Sequence, residues 1–242
     1  GTLNMLSLAV EQAKSQGKPV KFFFPSSIAV YGLENENIKI KAGAITEDEY
    51  CNPITMYGCN KLYCEKLGIY YSQHYHQLSN DFEHNLIDFR SIRFSGLIST
   101  LTEPQGGTSD YIPQMLHAAA RNESYDCFVQ SNTRMPFMVM PDAIQSIISL
   151  MNASKSNIKS HIYHLSTFNP TPKEFYNLII QYFPNFKMNY EINQKRQAMV
   201  NSWPLDLNCE GAIREWNWKP NYNINNAFDE YLIPNIKQQY NL

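Results

Sequence analysis

Residues 19–32 read Pro19-Val-Lys-Phe-Phe-Phe-Pro25-Ser26-Ser27-Ile-Ala-Val-Tyr31-Gly32. A short apolar run between two prolines, rich in β-formers, is the pattern of a buried strand in a parallel sheet. Just upstream, Leu3, Leu6, Ala9, Val10 and Ala13 recur at helical spacing, and Gly17 supplies a C-terminal stop. A helix leading into a buried strand is the repeating unit of an α/β fold.

Working outward, a polar stretch from Leu33 to Asn52 precedes a long helical pattern from Thr55 to about His76. Leu86 to Phe94 mixes apolar and polar residues and reads as the next strand, with Ser95-Gly96 as its turn. Beyond Gly96 the texture changes: Pro104-Gln-Gly-Gly-Thr-Ser-Asp110 is a loop, followed by a helix near Tyr111 to Arg121 and a strand from Tyr125 to Val129. The pattern then predicts a helix over Asp142 to Asn152, a strand over His161 to Leu165, and a helix over Lys173 to Phe183 opened by Thr171-Pro172. No internal repeat is visible.

Two short motifs carry chemistry. Ser26-Ser27-Ile-Ala-Val-Tyr31-Gly32 directly follows a strand, and Tyr57-Gly-Cys-Asn-Lys61 sits on a helix. Residues four apart share a helical face, so the Lys61 ammonium stands beside the Tyr57 phenol. A free tyrosine titrates near ~10, so a positive neighbour is a physical requirement if it is to take a proton from an alcohol near neutral pH. Ser27, at the strand end, can hydrogen-bond the same alcohol. The catalytic set read here is Tyr57 as acid/base, Lys61 as its electrostatic partner and a ribose ligand, and Ser27 as the orienting hydroxyl.

Composition removes other classes. Lys and Arg number 20 against 22 Asp and Glu, which leaves no basic excess for a nucleic-acid partner. Five cysteines without a CxxC pair read as reduced thiols of a cytoplasmic protein. Apolar runs such as Phe22 to Phe24 are far short of a membrane span. His74, His76 and His84 lack a completing Cys or acidic spacing, so no metal is expected. Arg93 reads either as an active-site partner or as the cap of a structural carboxylate.

Together these motifs resemble the extended short-chain dehydrogenases, a family that includes nucleotide-sugar epimerases and dehydratases. Gly1-Thr-Leu-Asn-Met-Leu resembles the helix that in that family precedes the serine-bearing strand. Further blocks are similar to the short-chain type of L-threonine 3-dehydrogenase: Arg90 to Ser99, Gly106-Gly-Thr-Ser-Asp-Tyr111, Tyr125 to Phe128, Met135 to Met138 with Asp142-Ala143, and Ser202-Trp-Pro204 followed by Glu215 to Trp218. The resemblance implies the C-terminal part of a Rossmann-type doubly wound parallel sheet plus a smaller α+β substrate-binding region. It places the boundary near residue 98, with 136–166 returning to the Rossmann core.

For function the resemblance implies NAD-dependent oxidation of a small hydroxy compound, with L-threonine going to 2-amino-3-oxobutanoate. NAD would meet Ser26, Tyr57, Lys61, Phe94 and Gly96, while the amino-acid substrate would meet Ser27, Thr108, Ser109 and Trp203. Thr108 and Ser109 offer donors to a carboxylate, and Trp203 an apolar wall. Related enzymes dimerise through the helix bearing Tyr57 and Lys61 and its neighbour, so a homodimer is expected. A nucleotide-sugar epimerase or dehydratase, and a non-catalytic module, remain the alternatives.

The sequence also departs from the family pattern. Arg93-Phe94-Ser95-Gly96 stands where the family has Arg-Tyr-Pro-Gly, Gln105 takes the first place of a triple glycine, and Asn208 and Cys209 replace two acidic residues. The stretch from Gln77 to His84 lengthens the approach to the next strand. No GxxGxxG phosphate-binding turn occurs, so three further βα units of about 70 to 90 residues are expected to precede Gly1, and the chain alone is expected to be inactive.

Overall fold

The computed structural model describes residues 1–80 and 82–242. The chain opens with helix α1 (Thr2–Gln16), ended by Gly17 in the left-handed region at φ 62°, and strand β1 (Val20–Ser27). Leu6, Ala9, Val10 and Ala13 form the buried face of α1, and Leu6, Ala9 and Val10 pack with Phe24 and Phe89. Helix α3 (Met56–Gln73) follows, with the Thr55 hydroxyl accepting from the Gly58 amide at 3.0 Å as its cap. Strand β3 (Ile87–Phe94) pairs with β1 in parallel, from Val20 opposite Ile87 to Ser27 opposite Phe94. Strand β7 (Ile162–Leu165) joins the far side of β3, also in parallel, giving the sheet order β1-β3-β7. The expected α/β core of parallel strands and flanking helices is thus present.

Every residue of β3 is buried, including Asp88, Arg90, Ser91 and Arg93, which explains its mixed sequence. Burying charge requires pairing. Arg90 bonds Asp88 at 2.5 Å and donates to Ala153 O at 2.9 Å and to Leu150 O, so it caps the C-terminus of α5 (Met140–Asn152). Arg93 pairs with Glu65 of α3.

The polar stretch Leu33–Asn52, to which the sequence assigned no element, contains helix α2 (Glu36–Ala42) and the short strand β2 (Ala44–Ile45). Asn35 caps α2 by accepting from the Ile38 amide at 3.1 Å, and Lys39 is buried on its inner side. Helix α3 ends at Gln73 rather than His76, where the backbone reaches φ 56°. The lengthened approach from Gln77 to His84 includes Asp81, which lies outside the described residues.

A second set of elements covers the end of the sheet: β4 (Gly96–Ile98), α4 (Tyr111–Ala120), β5 (Tyr125–Cys127), β6 (Phe137–Val139), α6 (Pro172–Ile179), β8 (Met188–Tyr190), α7 (Gln194–Asn201), β9 (Asp206–Leu207) and α8 (Glu210–Trp216). Its strands form parallel pairs β4-β6, β5-β8 and β2-β9. Helix α6 starts as expected, with a reciprocal Thr171–Glu174 capping box, but stops four residues before Phe183. A C-terminal segment of α9 (Ile224–Asn226), a π-helical turn over Ala227–Leu232 and α10 (Ile233–Tyr240) packs Phe228, Leu232 and Ile236 into the larger core. Among the described residues no helix is long and apolar enough to cross a membrane, and all five cysteines are unpaired.

Candidate active site

At the C-terminal end of β1, Ser27 is extended and its hydroxyl accepts from the Ala29 amide at 3.2 Å, opening a single tight turn over Ile28–Val30. The turn is wedged on both sides by glycines. The Gly32 amide donates to Tyr50 O at 2.8 Å, and a Cβ there would lie 1.8 Å from Asn52 O. A Cβ on Gly58 would lie 2.0 Å from Ala29 O. Only glycine at 58 lets the first turn of α3 rest directly on the Ser27 turn.

That contact brings the two motifs together. Lys61 Nζ donates to Pro25 O at 2.6 Å and lies 5.5 Å from the centroid of the Tyr57 ring. Among the described residues no hydrogen-bond partner occupies the Tyr57 hydroxyl, and the residue is 56% exposed toward an open cleft. The cleft, of about 670 Å³, is bordered on this side by Ser26, Ser27, Tyr57 and Lys61.

Phe94 to Leu97, at the end of β3, form its floor, and Gly107 to Asp110 together with Met199 and Trp203 form the facing wall. In that wall the Gly107 amide donates to Asp110 Oδ2 at 2.6 Å, Thr108 Oγ1 approaches Met199 Sδ at 3.2 Å, and Arg196 donates to Gly106 O. The end of α7 is tied down by the buried Lys39 ammonium on Val200 O at 2.9 Å and by the Leu33 amide on Ser202 O at 2.8 Å. Burial draws the Lys39 ammonium down to about 7. Among the described residues Ser95 Oγ and Trp203 Nε1 are buried without a hydrogen-bond partner, so two residues of the cleft have polar capacity to spare.

Behind the two motifs lies a buried polar network. Glu65 Oε1 accepts from Ser26 Oγ at 2.5 Å and from Arg93 Nε at 2.9 Å, and Oε2 accepts from Arg93 Nη2 at 2.7 Å. Arg93 Nη1 donates to Tyr31 Oη at 3.0 Å and to Glu47 O at 2.5 Å. Tyr31 Oη meets His164 Nδ1 at 2.7 Å, and His164 Nε2 meets Asn208 O at 2.8 Å. A carbonyl only accepts, so Nε2 carries the proton and Nδ1 accepts from the tyrosine. Burial keeps this imidazole neutral, at about 4, and raises the Tyr31 phenol well above its ordinary range. For Arg93 burial opposes the charge, but the Glu65 hydrogen bonds together with the electrostatic pull of Tyr31, Glu65 and Cys51 hold the guanidinium above its usual value.

All nine residues expected at the site, Ser26, Ser27, Tyr57, Lys61, Phe94, Gly96, Thr108, Ser109 and Trp203, border this one cleft. Ser26 differs from the rest, because its hydroxyl is committed to Glu65. Arg93 is the carboxylate partner of the two readings left open for it. Ser95, Asp110 and Met199 were not foreseen as lining residues, nor was Glu65 as a neighbour. Only Glu65 left a sequence signal, falling four residues after Lys61 on the same helical face.

Residues 1–166 match the model of the NAD dependent epimerase/dehydratase family. The chain belongs to that family. Within it, an uncharacterized epimerase/dehydratase of Staphylococcus aureus strain USA300 is 36% identical over 225 residues, covering 92% of this chain. The chain spans 65% of that relative's length. Among solved structures, L-threonine dehydrogenase from Clostridium difficile superposes with a TM-score of 0.83 at 31% identity, covering 99% of this chain and 70% of its own. The apo form of a GalE-like L-threonine dehydrogenase from Cupriavidus necator gives 0.81 at 30% identity, covering 98% and 78%.

The donor set suits one end of the family's dinucleotide. An ammonium and a phenol from α3 stand beside the Ser27 hydroxyl near the C-terminal ends of the adjacent parallel strands β1 and β3, where α/β sheets bind ligands. Lys61, Tyr57 and Phe94–Gly96 border the cleft, where they could meet a ribose and nicotinamide. The glycine turn that cradles a pyrophosphate is not in this sequence.

Proposed function

We propose that this chain carries the catalytic residues of an NAD-dependent oxidoreductase acting on the side-chain alcohol of a small amino acid, L-threonine, to give 2-amino-3-oxobutanoate. The observation that carries the reading is the convergence of Ser27, Tyr57 and Lys61 on one cleft with Thr108, Ser109 and Trp203. The likeness to two L-threonine dehydrogenases over almost the whole chain supports the choice of substrate.

Each role follows from position. Ser27 donates to the substrate alcohol and orients it, and Tyr57 Oη takes the alcohol proton as the C–H bond breaks. Lys61, fixed by Pro25 O, supplies the positive charge beside the phenol and a donor to ribose hydroxyls. When bound, NAD supplies the hydride acceptor. Thr108 and Ser109 hold the carboxylate by hydroxyl and backbone donors, and Trp203 excludes water from the methyl side.

A homodimer is part of the proposal: α1 exposes Leu3, Met5 and Leu8, and the adjoining α3 exposes Tyr63 and Tyr70, an apolar surface of the kind partners cover. Five unpaired thiols suit a reducing compartment such as the cytoplasm.

The test is NADH absorbance on adding L-threonine and NAD to the protein expressed from its complete reading frame. Turnover that Tyr57→Phe abolishes supports both substrate and mechanism. Bound NAD without turnover of threonine removes the substrate, with nucleotide sugars the next class to assay.

A further inference from the structure

Beyond that reading, and resting on it for the kinetic part of its test, we propose that Glu65 is a positioning residue: through Ser26 and Arg93 it clamps both ends of the turn that carries Ser27 to the helix that carries Tyr57 and Lys61.

Tyr57, Lys61 and Glu65 follow one another at intervals of four along α3, so all three face the end of β1. The helix grips two consecutive residues of the strand: Lys61 holds Pro25 O at 2.6 Å and Glu65 holds Ser26 Oγ at 2.5 Å. Ser27 comes next, and its direction is set by where residues 25 and 26 are held.

The far end of the same turn is held by the same carboxylate at one remove. Arg93 grips both oxygens of Glu65, at 2.9 and 2.7 Å, and its remaining nitrogen donates to Tyr31 Oη at 3.0 Å as well as to Glu47 O at 2.5 Å. Residues 26 and 31 therefore bracket Ser27 from a single ion pair. The bidentate contact fixes the plane of the carboxylate, so Glu65 cannot swing away from Ser26.

A buried ion pair contributes little net stability compared with apolar side chains of the same size. This pair is almost completely enclosed, with side-chain exposures of 3% and 0%. Its distinctive product is direction, expressed in hydrogen bonds to residues on either side of Ser27. Small displacements of reacting groups are costly: about 1 Å can lower a rate by roughly a hundredfold.

Ser26→Ala tests this with one atom, since it leaves the Glu65–Arg93 pair in place. Well below the melting temperature it is expected to lower kcat about tenfold, as a sub-ångström shift would, while KM for L-threonine and for NAD stays within about a factor of two. Hydrogen exchange at the amides of Ala29, Tyr31 and Gly32 is expected to speed up by roughly tenfold. Glu65→Gln should move both quantities in the same direction.

Unchanged exchange, or faster exchange with unchanged kcat, would overturn the proposal. So would a raised KM for NAD with kcat intact, because Ser26 would then be acting on the cofactor. If the unaltered protein does not turn over threonine, the substrate assignment fails and the exchange measurement alone decides the clamp.

Discussion

The two walls of the cleft are built on different physics. On the β1 and α3 side, Ser27 and Lys61 stand in front of a sealed network in which Glu65, Arg93, Tyr31 and His164 satisfy one another and the backbone. On the facing side, the Gly107–Asp110 loop and the Met199–Trp203 segment are held by separate contacts that do not join into one network: Arg196 on Gly106 O, Thr108 on Met199, Lys39 on Val200 O and the Leu33 amide on Ser202 O. Under the proposed function the contrast separates reaction from selectivity. Acid/base chemistry needs distances fixed to fractions of an ångström, whereas a substrate wall built from a loop and a helix end can change without disturbing them.

The hardest blow to the rigid wall is Arg93→Met, which leaves the Glu65 carboxylate buried and unpaired. A loss of about 3–5 kcal/mol is expected, read as a lower urea midpoint. A loss below about 1 kcal/mol would mean that the network is far more yielding than its geometry implies. Gly58→Ala comes next, since its Cβ would meet backbone at Ala29 O rather than a side chain that can move aside. It is expected to cost about 1–3 kcal/mol and to lower turnover by pushing α3 off the serine turn.

pH separates the walls further, with slopes of at most about 1.4 kcal/mol per unit for each proton. His164 is held at about 4 against an ordinary 6.5, so the unfolded chain binds its proton first and stability falls as pH drops from 6.5 toward 4. Lys39 is held at about 7 against 10.5, so stability rises as pH climbs from 7 toward 10.5. His164→Gln should flatten the acid slope alone and Lys39→Met the alkaline slope alone, in urea midpoints measured across both ranges.

The smallest effect belongs to the substrate wall. Thr108→Val removes one hydroxyl and should weaken binding by about 0.5–1.5 kcal/mol, seen as up to roughly a tenfold rise in KM for threonine with kcat and the urea midpoint unchanged.

What could be read beforehand follows from the same contrast. Long periodic elements declare themselves: α1 with its Gly17 stop, β1 after Pro19, although the strand runs on through Pro25 to Ser27, and α3 after Thr55. The YxxxK spacing put Tyr57 and Lys61 on one face, and the serine motif after a strand put Ser27 at its end. Strands of two or three residues such as β2, β4 and β9 are too short for alternation to register. Helix α2 was hidden because its inward residue is Lys39, a polar letter at a core position. The role of Arg93 was undecidable from the sequence, because its partner lies 28 residues away on another element.

The most direct test of the proposed chemistry is the NADH assay on the full reading frame with Tyr57→Phe beside it. The Tyr57 side chain is exposed, so its replacement is expected to leave the urea midpoint unchanged while lowering kcat with threonine by about 10²- to 10⁴-fold. Threonine oxidation that continued at an undiminished rate in the folded variant would contradict the assignment of Tyr57 as the acid/base.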